Sequence, residues 1–450
     1  MASGSTQAGR QGPEQRVRLL ADRAESHVRA GELAAAQALY QQILAIEPLH
    51  AEALSFHATA ALQGGDLKRG VQLLEQAVAA HPANPNLHKN LGIAYRASGD
   101  PQRALAAFAR SAELKPDMVA TLFNQGALLT ELGRRDEALS CYMRAFEAAE
   151  AVGLFLDVAK IPSGIRVLAE QAMGILREAR YEVFRAALAP VEREHGRASL
   201  QRVWHCLESY LGRRPQIALP ALQRPTFMSF PGLPARAWYE RDEFPWMAQL
   251  ERETSAIREE LRAVLAKDEG FRPFVQMSRE HPGAAYWDKL NDSPNWNAFF
   301  FYRDGERFTD NHARCPVTSN VLDTAPLNRI AEHSPEALYS VLTPGAHIPP
   351  HTGVINVRLV VHLPLIVPPD CGIRVGSETR GWTEGQCIAF DDTYEHEAWN
   401  KSNQTRVVMI FDIWNPALSL PEREGMRLAI EALGRFNRSH GGTAKLFAEQ

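Results

Sequence analysis

Two histidines stand well apart in this chain: His351 in H-I-P-P-H-T-G, and His396 in F-D-D-T-Y-E-H-E, 45 residues on. Each borders an apolar, β-rich run, so the two imidazoles are expected at strand mouths, where folding rather than sequence adjacency brings them to one metal ion. The spacing excludes the two commonest zinc patterns, because zinc proteases put both histidines on one helical turn and structural zinc sites use close cysteine pairs. An open redox-metal pocket with few protein ligands is left. Non-haem iron sites of this kind usually combine two histidines with a carboxylate on one face. That carboxylate normally lies two residues after the first histidine, and here the position is Gly353.

Around the pair lie residues suited to binding a small acid. Arg358, Val360 and His362 are spaced by two and share one strand face. Arg406 alternates with apolar Val408 and Ile410, and a guanidinium buried among such neighbours requires an anion. Arginine binds carboxylates through two parallel hydrogen bonds, and a hydroxyl such as that of Ser340 adds one aimed donor. Each has a plainer alternative. Ser340 could bond to local backbone, Asp391 and Asp392 could close a turn, and Trp382 and Trp399 are expected in the core. His347 reads as a turn residue, and His312, His333 and His440 as surface.

Four motifs between Phe230 and Pro416 carry a resemblance: H-T-G at 351, R-x-x-x-H at 358, E-x-R-x-W-x-E-G at 378 and F-D-D-x-x-E-H-E-x-W at 390. With F-P-G-L-P-A-R-A-W at 230, the chain resembles the aspartyl/asparaginyl β-hydroxylases, 2-oxoglutarate oxygenases that bind iron through two histidines without the carboxylate. The resemblance implies His351 and His396 as Fe(II) ligands. It implies Arg406 and Ser340 on the distal carboxylate of 2-oxoglutarate, and His362 at that co-substrate's other end. Asp392 would orient ligands and bound water, Arg358 would contact substrate, and O2 would be the oxidant. The implied activity is hydroxylation of an unactivated C–H, such as the β-carbon of an Asp or Asn residue in a peptide. The peptidyl branch reads R-x-R-x-H where this chain reads R-L-V-V-H, so Val360 removes one cation from the substrate side. Two other readings stand beside this one: the same chemistry on a lipid or small metabolite, and a non-catalytic repeat scaffold with a relic barrel.

The elements that must position these residues fall into two classes. Gly31, Gly65, Gly99 and Gly133 recur every 34 residues, as do Pro48, Pro82 and Pro116, which is the tetratricopeptide period. Each unit pairs a small residue (Ala36, Gly70, Ala104, Ala138) with a large one (Tyr40, Leu74, Phe108, Tyr142). Four repeats over 14–150 predict an all-α solenoid whose concave face, bearing Asn90 and Asn124, holds a peptide or protein substrate. A helical cap and linker is expected over 151–225, ending in a proline-rich boundary. A further helix is expected over 246–266, then strands at 296–303, 338–342, 354–365, 373–375, 386–390 and 405–414. Short strands with Gly, Pro and Asp turns predict a double-stranded β-helix of jelly-roll or cupin type over 226–425. A C-terminal helix and tail follow over 426–450, and residues 1–13 are expected to be disordered.

Composition bounds the rest. At 450 residues the chain has material for more than one domain. A formal charge of −4 gives no general attraction to nucleic acid or anionic membrane. Five scattered cysteines, none in C-x-x-C, fit reduced thiols in a cytoplasmic protein. No apolar run approaches the ~18 residues needed to span a bilayer, so no membrane is expected as partner.

Overall fold

The 34-residue rhythm folds as four helical hairpins: α1 (Pro13–Arg29) with α2 (Leu33–Ile46), α3 (Ala51–Gln63) with α4 (Leu67–Ala80), α5 (Pro85–Ala97) with α6 (Pro101–Leu114), and α7 (Val119–Glu131) with α8 (Arg135–Ala151). The recurrent glycines sit at the hairpin bends with φ between +71° and +85°, a conformation that costs other residues a steric clash. In the third and fourth hairpins a second glycine lets the two helices close. A Cβ on Gly92 would come within 2.6 Å of the Phe108 ring, and one on Gly126 within 2.5 Å of Tyr142, so in these two the large residue of the second helix rests on bare backbone of the first. Asn90 donates to Ser55 Oγ at 2.8 Å, and Asn124 to the Ala120 carbonyl of its own helix.

The computed structural model describes residues 12–151, 163–267, 269–278 and 284–442. The expected disordered N-terminus lies outside them up to residue 11, as do 152–162 of the linker and 443–450 of the tail. The chain divides into two units after Leu176, with Ser439–Gly442 grouped with the first. The division falls within α9 (Ser163–His195), so the helical segment from Arg177 through α10 (Gln201–Tyr210) belongs to the second unit. There Arg202 makes two 2.6 Å bonds to Glu422 of the C-terminal helix, numbered α15 below (Leu420–Ser439), a bidentate pair of the stronger kind.

Among the described residues the second unit holds twelve strands in two antiparallel sheets. They are β1 (Trp238–Tyr239), β2 (Arg272–Pro273), β3 (Trp296–Arg303), β4 (Glu306–Arg307), β5 (Ala337–Leu342), β6 (His347–His351), β7 (Arg358–Ile366), β8 (Cys371–Val375), β9 (Glu378–Arg380), β10 (Ile388–Phe390), β11 (His396–Asn400) and β12 (Arg406–Trp414). The large sheet runs β1-β10-β7-β12-β5-β3-β2 with β4 beside β3; the small one runs β6-β11-β8-β9. One face of the large sheet buries Phe299, Tyr339, Val361, Met409 and Phe411 with residues of the helices α11 (Met247–Arg252), α12 (Thr254–Lys267) and α14 (Pro316–Thr324), α13 being Thr309–Arg314. The other face shares a core with the small sheet, in which Leu342, Val360, Phe390 and Val408 meet Ile348, Ile373, Val375 and Ala398. An all-α repeat array followed by an antiparallel β domain is the expected fold class.

Several local expectations are corrected. The helix expected over 246–266 breaks at Glu253, where the Thr254 hydroxyl takes the Glu251 carbonyl at 2.7 Å and competes with the helical ladder. The strand expected from 354 starts at Arg358, because Asn356 bonds reciprocally to Phe230 (2.7 and 3.0 Å) and ties the F-P-G segment to this chain reversal. His312, His333 and His440 are buried, at 4%, 3% and 8% exposure, rather than on the surface. His312 is held by Ser319 and the Phe301 carbonyl. His347 opens β6 and pairs with Glu397 at 2.8 Å. All five cysteines are free thiols. No helix among the described residues is long and apolar enough to cross a membrane.

Candidate active site

β6 ends on His351 and β11 begins on His396, and the two are register partners across the small sheet. Residues 45 apart in sequence are thereby cross-strand neighbours, with ring centroids 4.0 Å apart. Each Nδ1 lies on a backbone carbonyl two residues upstream, His351 on Pro349 at 2.8 Å and His396 on Tyr394 at 3.0 Å. A carbonyl only accepts, so both Nδ1 atoms carry the proton and both Nε2 lone pairs are free, the tautomer a metal ligand needs. Burial, reinforced by His396, lowers the pKa of His351 to about 3; burial lowers that of His396 to about 4. Both imidazoles are therefore neutral near pH 7. Among the described residues no third His, Cys, Asp or Glu joins them in a metal-binding cluster.

The pair opens onto a cavity of about 240 Å³ whose floor is the inner face of the large sheet. On β12 the inward residues run Arg406, Val408, Ile410, Asp412. Register sets Val408 beside Ser340, Ile410 between Leu338 and His362, and Asp412 beside Val360. The alternation of Arg358, Val360 and His362 holds: all three line the cavity.

Arg406 is 1% exposed, and among the described residues no carboxylate pairs with it. Its Nη1 reaches Ser340 Oγ only at 3.5 Å, its Nε has no partner, and its guanidinium lies 5.0 Å from the Trp382 ring centroid. Burial pulls its pKa down to about 10, the signature of a cation held without an anion. Ser340 accepts from Trp296 Nε1 at 3.0 Å, which leaves the hydroxyl proton to donate elsewhere. His362 Nδ1 accepts from Trp382 Nε1 at 3.3 Å; indole only donates, so the His362 proton sits on Nε2. Burial, then Arg406 and His396, hold that ring neutral.

Asp392 is 5% exposed. One oxygen takes Arg358 Nη2 at 3.0 Å and the other has no partner. Arg358 also gives Nη1 to Asp412 at 2.9 Å, and only its Nε is left without a partner. Burial disfavours its charge, but the two carboxylates outweigh burial and keep it protonated. Asp391 turns away, bonded to Thr393 and Gln223.

With this geometry, residues 251–416 match the family model described as "Aspartyl/Asparaginyl beta-hydroxylase". A stretch similar to that family thus covers most strands of the β domain. Tetratricopeptide models match residues 21–85, 61–119 and 119–151. The chain is 32% identical over 199 residues to the human protein named aspartyl/asparaginyl beta-hydroxylase, covering 43% of this chain and 25% of that one. It is 34% identical over 184 residues to an "ornithine lipid ester-linked acyl 2-hydroxylase" from Rhizobium tropici, covering 40% and 61%. A third relative, "aspartate beta-hydroxylase domain-containing protein 2" from Xenopus tropicalis, is 30% identical over 223 residues, covering 48% and 56%. The alignments thus span between a quarter and about three-fifths of these relatives' own length.

In the β domain several residues of the candidate site escaped the sequence reading. Trp382, expected only as core, stacks near Arg406 and bonds His362. Trp296 holds Ser340, and Trp287 packs edge-on against His351 with centroids 5.4 Å apart. Asp412 and Glu336 line the cavity beyond Ile410. Extending the Arg406, Val408, Ile410 alternation by one more step would have found Asp412. Glu336 carried no signal without knowledge of which strands are neighbours.

Proposed function

We propose that this chain is an Fe(II)- and 2-oxoglutarate-dependent hydroxylase of an unactivated C–H bond. The observation that carries the reading is Arg406: a fully buried guanidinium, lacking a carboxylate partner, on the floor beneath two imidazoles whose Nε2 atoms are free. A buried unpaired cation costs several kcal/mol, so it is retained for a ligand that supplies the missing anion. In this reading His351 and His396 hold the iron, and Arg406 and Ser340 receive the distal carboxylate of 2-oxoglutarate. His362 donates from Nε2 to the co-substrate's other end. The metal and 2-oxoglutarate together activate O2 and supply the oxidising chemistry.

The chain's own residues bind, orient and shelter. The two carbonyl-fixed tautomers keep the imidazoles aimed and unprotonated. Trp382 sets the His362 tautomer and covers one face of Arg406, while Trp296 turns the Ser340 hydroxyl toward the guanidinium. Asp392, anchored through one oxygen by Arg358, offers the other as an acceptor that steers a bound water or ligand. The apolar walls, among them Ile348, Ile373, Phe390 and Ile410, limit water at the reacting carbon.

The substrate in this reading is an Asp- or Asn-type residue, or a similar one, of a peptide or protein, with the repeats as the partner-binding array. The Rhizobium tropici relative, named for hydroxylation of a lipid acyl chain, favours a second reading in which the same chemistry acts on a lipid or small metabolite. Adding Fe(II) and 2-oxoglutarate under nitrogen tests the chemistry: a visible metal-to-ligand charge-transfer band is expected, absent in His396→Ala. No band in the unmodified protein would overturn the proposal.

A further inference from the structure

The first helical hairpin carries a cleft that the repeat pattern does not call for. It holds about 340 Å³ between one face of α1 and the turn from α2 into α3, with Val17 and Ala21 as an apolar wall. Four carboxylates, Glu14, Glu25, Glu47 and Glu52, line it against one guanidinium, Arg18. The 34-residue spacing identifies the equivalent positions in later repeats. For Glu25 they are Thr59, Ile93 and Ala127; for Glu47, His81, Lys115 and Ala149; for Glu52, Asn86 and Ala120. None of these is acidic, so the carboxylates are not part of what stacks one repeat on the next. Glu14 and Glu52 have a local reason, since each lies in the first turn of a helix, where the dipole favours negative charge. Glu47 has the reverse: it caps the C-terminus of α2, where the dipole favours a cation and the last turn holds no basic residue.

What sets this cleft apart from an ordinary acidic surface is Tyr40. It is 4% exposed and lines the cleft, and among the described residues its hydroxyl makes no hydrogen bond. Its counterpart in the fourth repeat, Tyr142, bonds Thr130 at 2.9 Å; the residue at the Thr130 position of the first repeat is Val28, which offers no such group. Leu74 and Phe108 fill the same position with hydrocarbon alone, so packing does not require the hydroxyl. Burial, then Glu25 and Glu52, raise the Tyr40 pKa, which puts both carboxylates within electrostatic reach of the phenol. Glu25 meets Arg29 at 3.8 Å and Glu52 meets His50 at 3.4 Å, whereas among the described residues neither Glu14, Glu47 nor Arg18 enters an ion pair. A cation arriving here would meet carboxylates in excess and a buried oxygen lacking a donor.

Resting on the reading of the repeats as the partner-binding array, and not on the metal, we propose that this cleft docks a basic segment of a protein partner, with one lysine or arginine side chain entering it. The aliphatic stem packs on Val17, Ala21 and the Tyr40 ring, and the charged head takes Glu25, Glu52 and the Tyr40 oxygen as acceptors. The docked residue is distinct from the one oxidised at the histidine pair, so an Asp- or Asn-type substrate residue is compatible with it. Because the acids at the rim are exposed, the attraction is screened by salt and acts on the choice of partner more than on tightness.

The test uses the full chain and fluorescein-labelled hexalysine, read by fluorescence anisotropy, with labelled hexaglutamate as the opposite charge. Hexalysine is expected to bind, more weakly as salt is raised, and hexaglutamate is not. Glu25→Gln combined with Glu52→Gln is expected to weaken hexalysine at least about tenfold, and Tyr40→Phe, which keeps the ring and its packing, about 2- to 10-fold. A charge-matched control, Glu113→Gln combined with Glu147→Gln on exposed positions of later repeats, is expected to change binding less than about twofold. Equal losses in the cleft pair and the control pair would reduce the binding to bulk charge and overturn the proposal. An unchanged Tyr40→Phe overturns it too, as does a failure of hexalysine to bind. The charge-transfer band is recorded on the same samples: its absence with hexalysine binding intact sinks the metal reading alone, and its presence without hexalysine binding sinks the cleft alone.

Discussion

Gly353 and Asp392 compete for one space. The Gly353 amide donates to the Asp392 backbone carbonyl at 2.6 Å, and a Cβ on Gly353 would fall within the Asp392 carboxyl group, closer than real Cβ contacts come. The position from which a third metal ligand would ordinarily arise is therefore occupied by a carboxylate from another segment, turned toward Arg358. Gly353→Ala is expected to cost about 1–3 kcal/mol by overpacking. Asp392→Ala should restore the room, so the double variant should depart from additivity by about 0.5–3 kcal/mol. Urea denaturation of the two single variants and the double variant checks this; strict additivity would mean the two residues do not share the space.

Arg406 gives a prediction with two opposite signs. Arg406→Met removes a buried, unpaired charge, so the protein without ligands is expected to melt at the same or a higher temperature. On the proposed 2-oxoglutarate reading, that acid is expected to raise the Tm of the unmodified protein by binding its folded state, and the variant should lack the shift. On the same reading the variant's requirement for 2-oxoglutarate should rise about 10- to 100-fold, as expected on losing a charge-assisted bond of ~1.5–3 kcal/mol. Thermal scans with and without the acid decide the matter; a marked drop in Tm in its absence would mean that Arg406 is paired internally.

Glu336 makes stability depend on pH. Its carboxyl is raised to about 8 by burial and by Asp412 and Asp304, against the lowering effect of the Asp304 amide and Arg303. The unfolded chain gives up that proton near pH ~4.3. Between the two values the folded state keeps a proton the unfolded state has lost, so this group's contribution falls as pH rises through the interval and levels off above about 8. Glu336→Gln should lack this decline. Denaturation curves at about pH 5.5 and about pH 8 should show the variant gaining on the unmodified protein at the higher pH. An unchanged gap would mean that Glu336 ionises normally.

How far the sequence carries is visible in particular residues. The repeats were legible because a backbone requirement, the left-handed glycine at each bend, recurs at fixed spacing, and strand β3 was legible to the residue because Trp296–Arg303 is dense in aromatic residues. Residues on one strand could be grouped by alternation, which is why Arg358 and His362 were found on one face. Asp412, Glu336 and Trp382 were not, since their roles depend on which strands lie side by side and in what register. His333 and His312 were misjudged as surface for the same reason: burial of a lone polar residue is decided by partners distant in the chain.

In the repeats, Phe108 is fully buried and seated on Gly92. Phe108→Ala is expected to destabilise the array by about 3–5 kcal/mol through the cavity it leaves. Gly92→Ala acts in the opposite sense, forcing the ring away, at about 1–3 kcal/mol. Circular dichroism melts of the full chain check both. A neutral result for Gly92→Ala would mean the ring has room to move.

Because His351 and His396 are opposite one another on paired strands, the pairing of the two imidazoles is a product of sheet registration. Slipping β11 by one residue against β6 would turn its side chains to the other face and separate the imidazoles. On the proposed reading of the pair as iron ligands, a nascent chain that has not yet emerged past residue 396 would carry half a ligand set. Metal uptake would then follow completion of the small sheet, and a metal-loaded molecule would have passed a check on its own assembly.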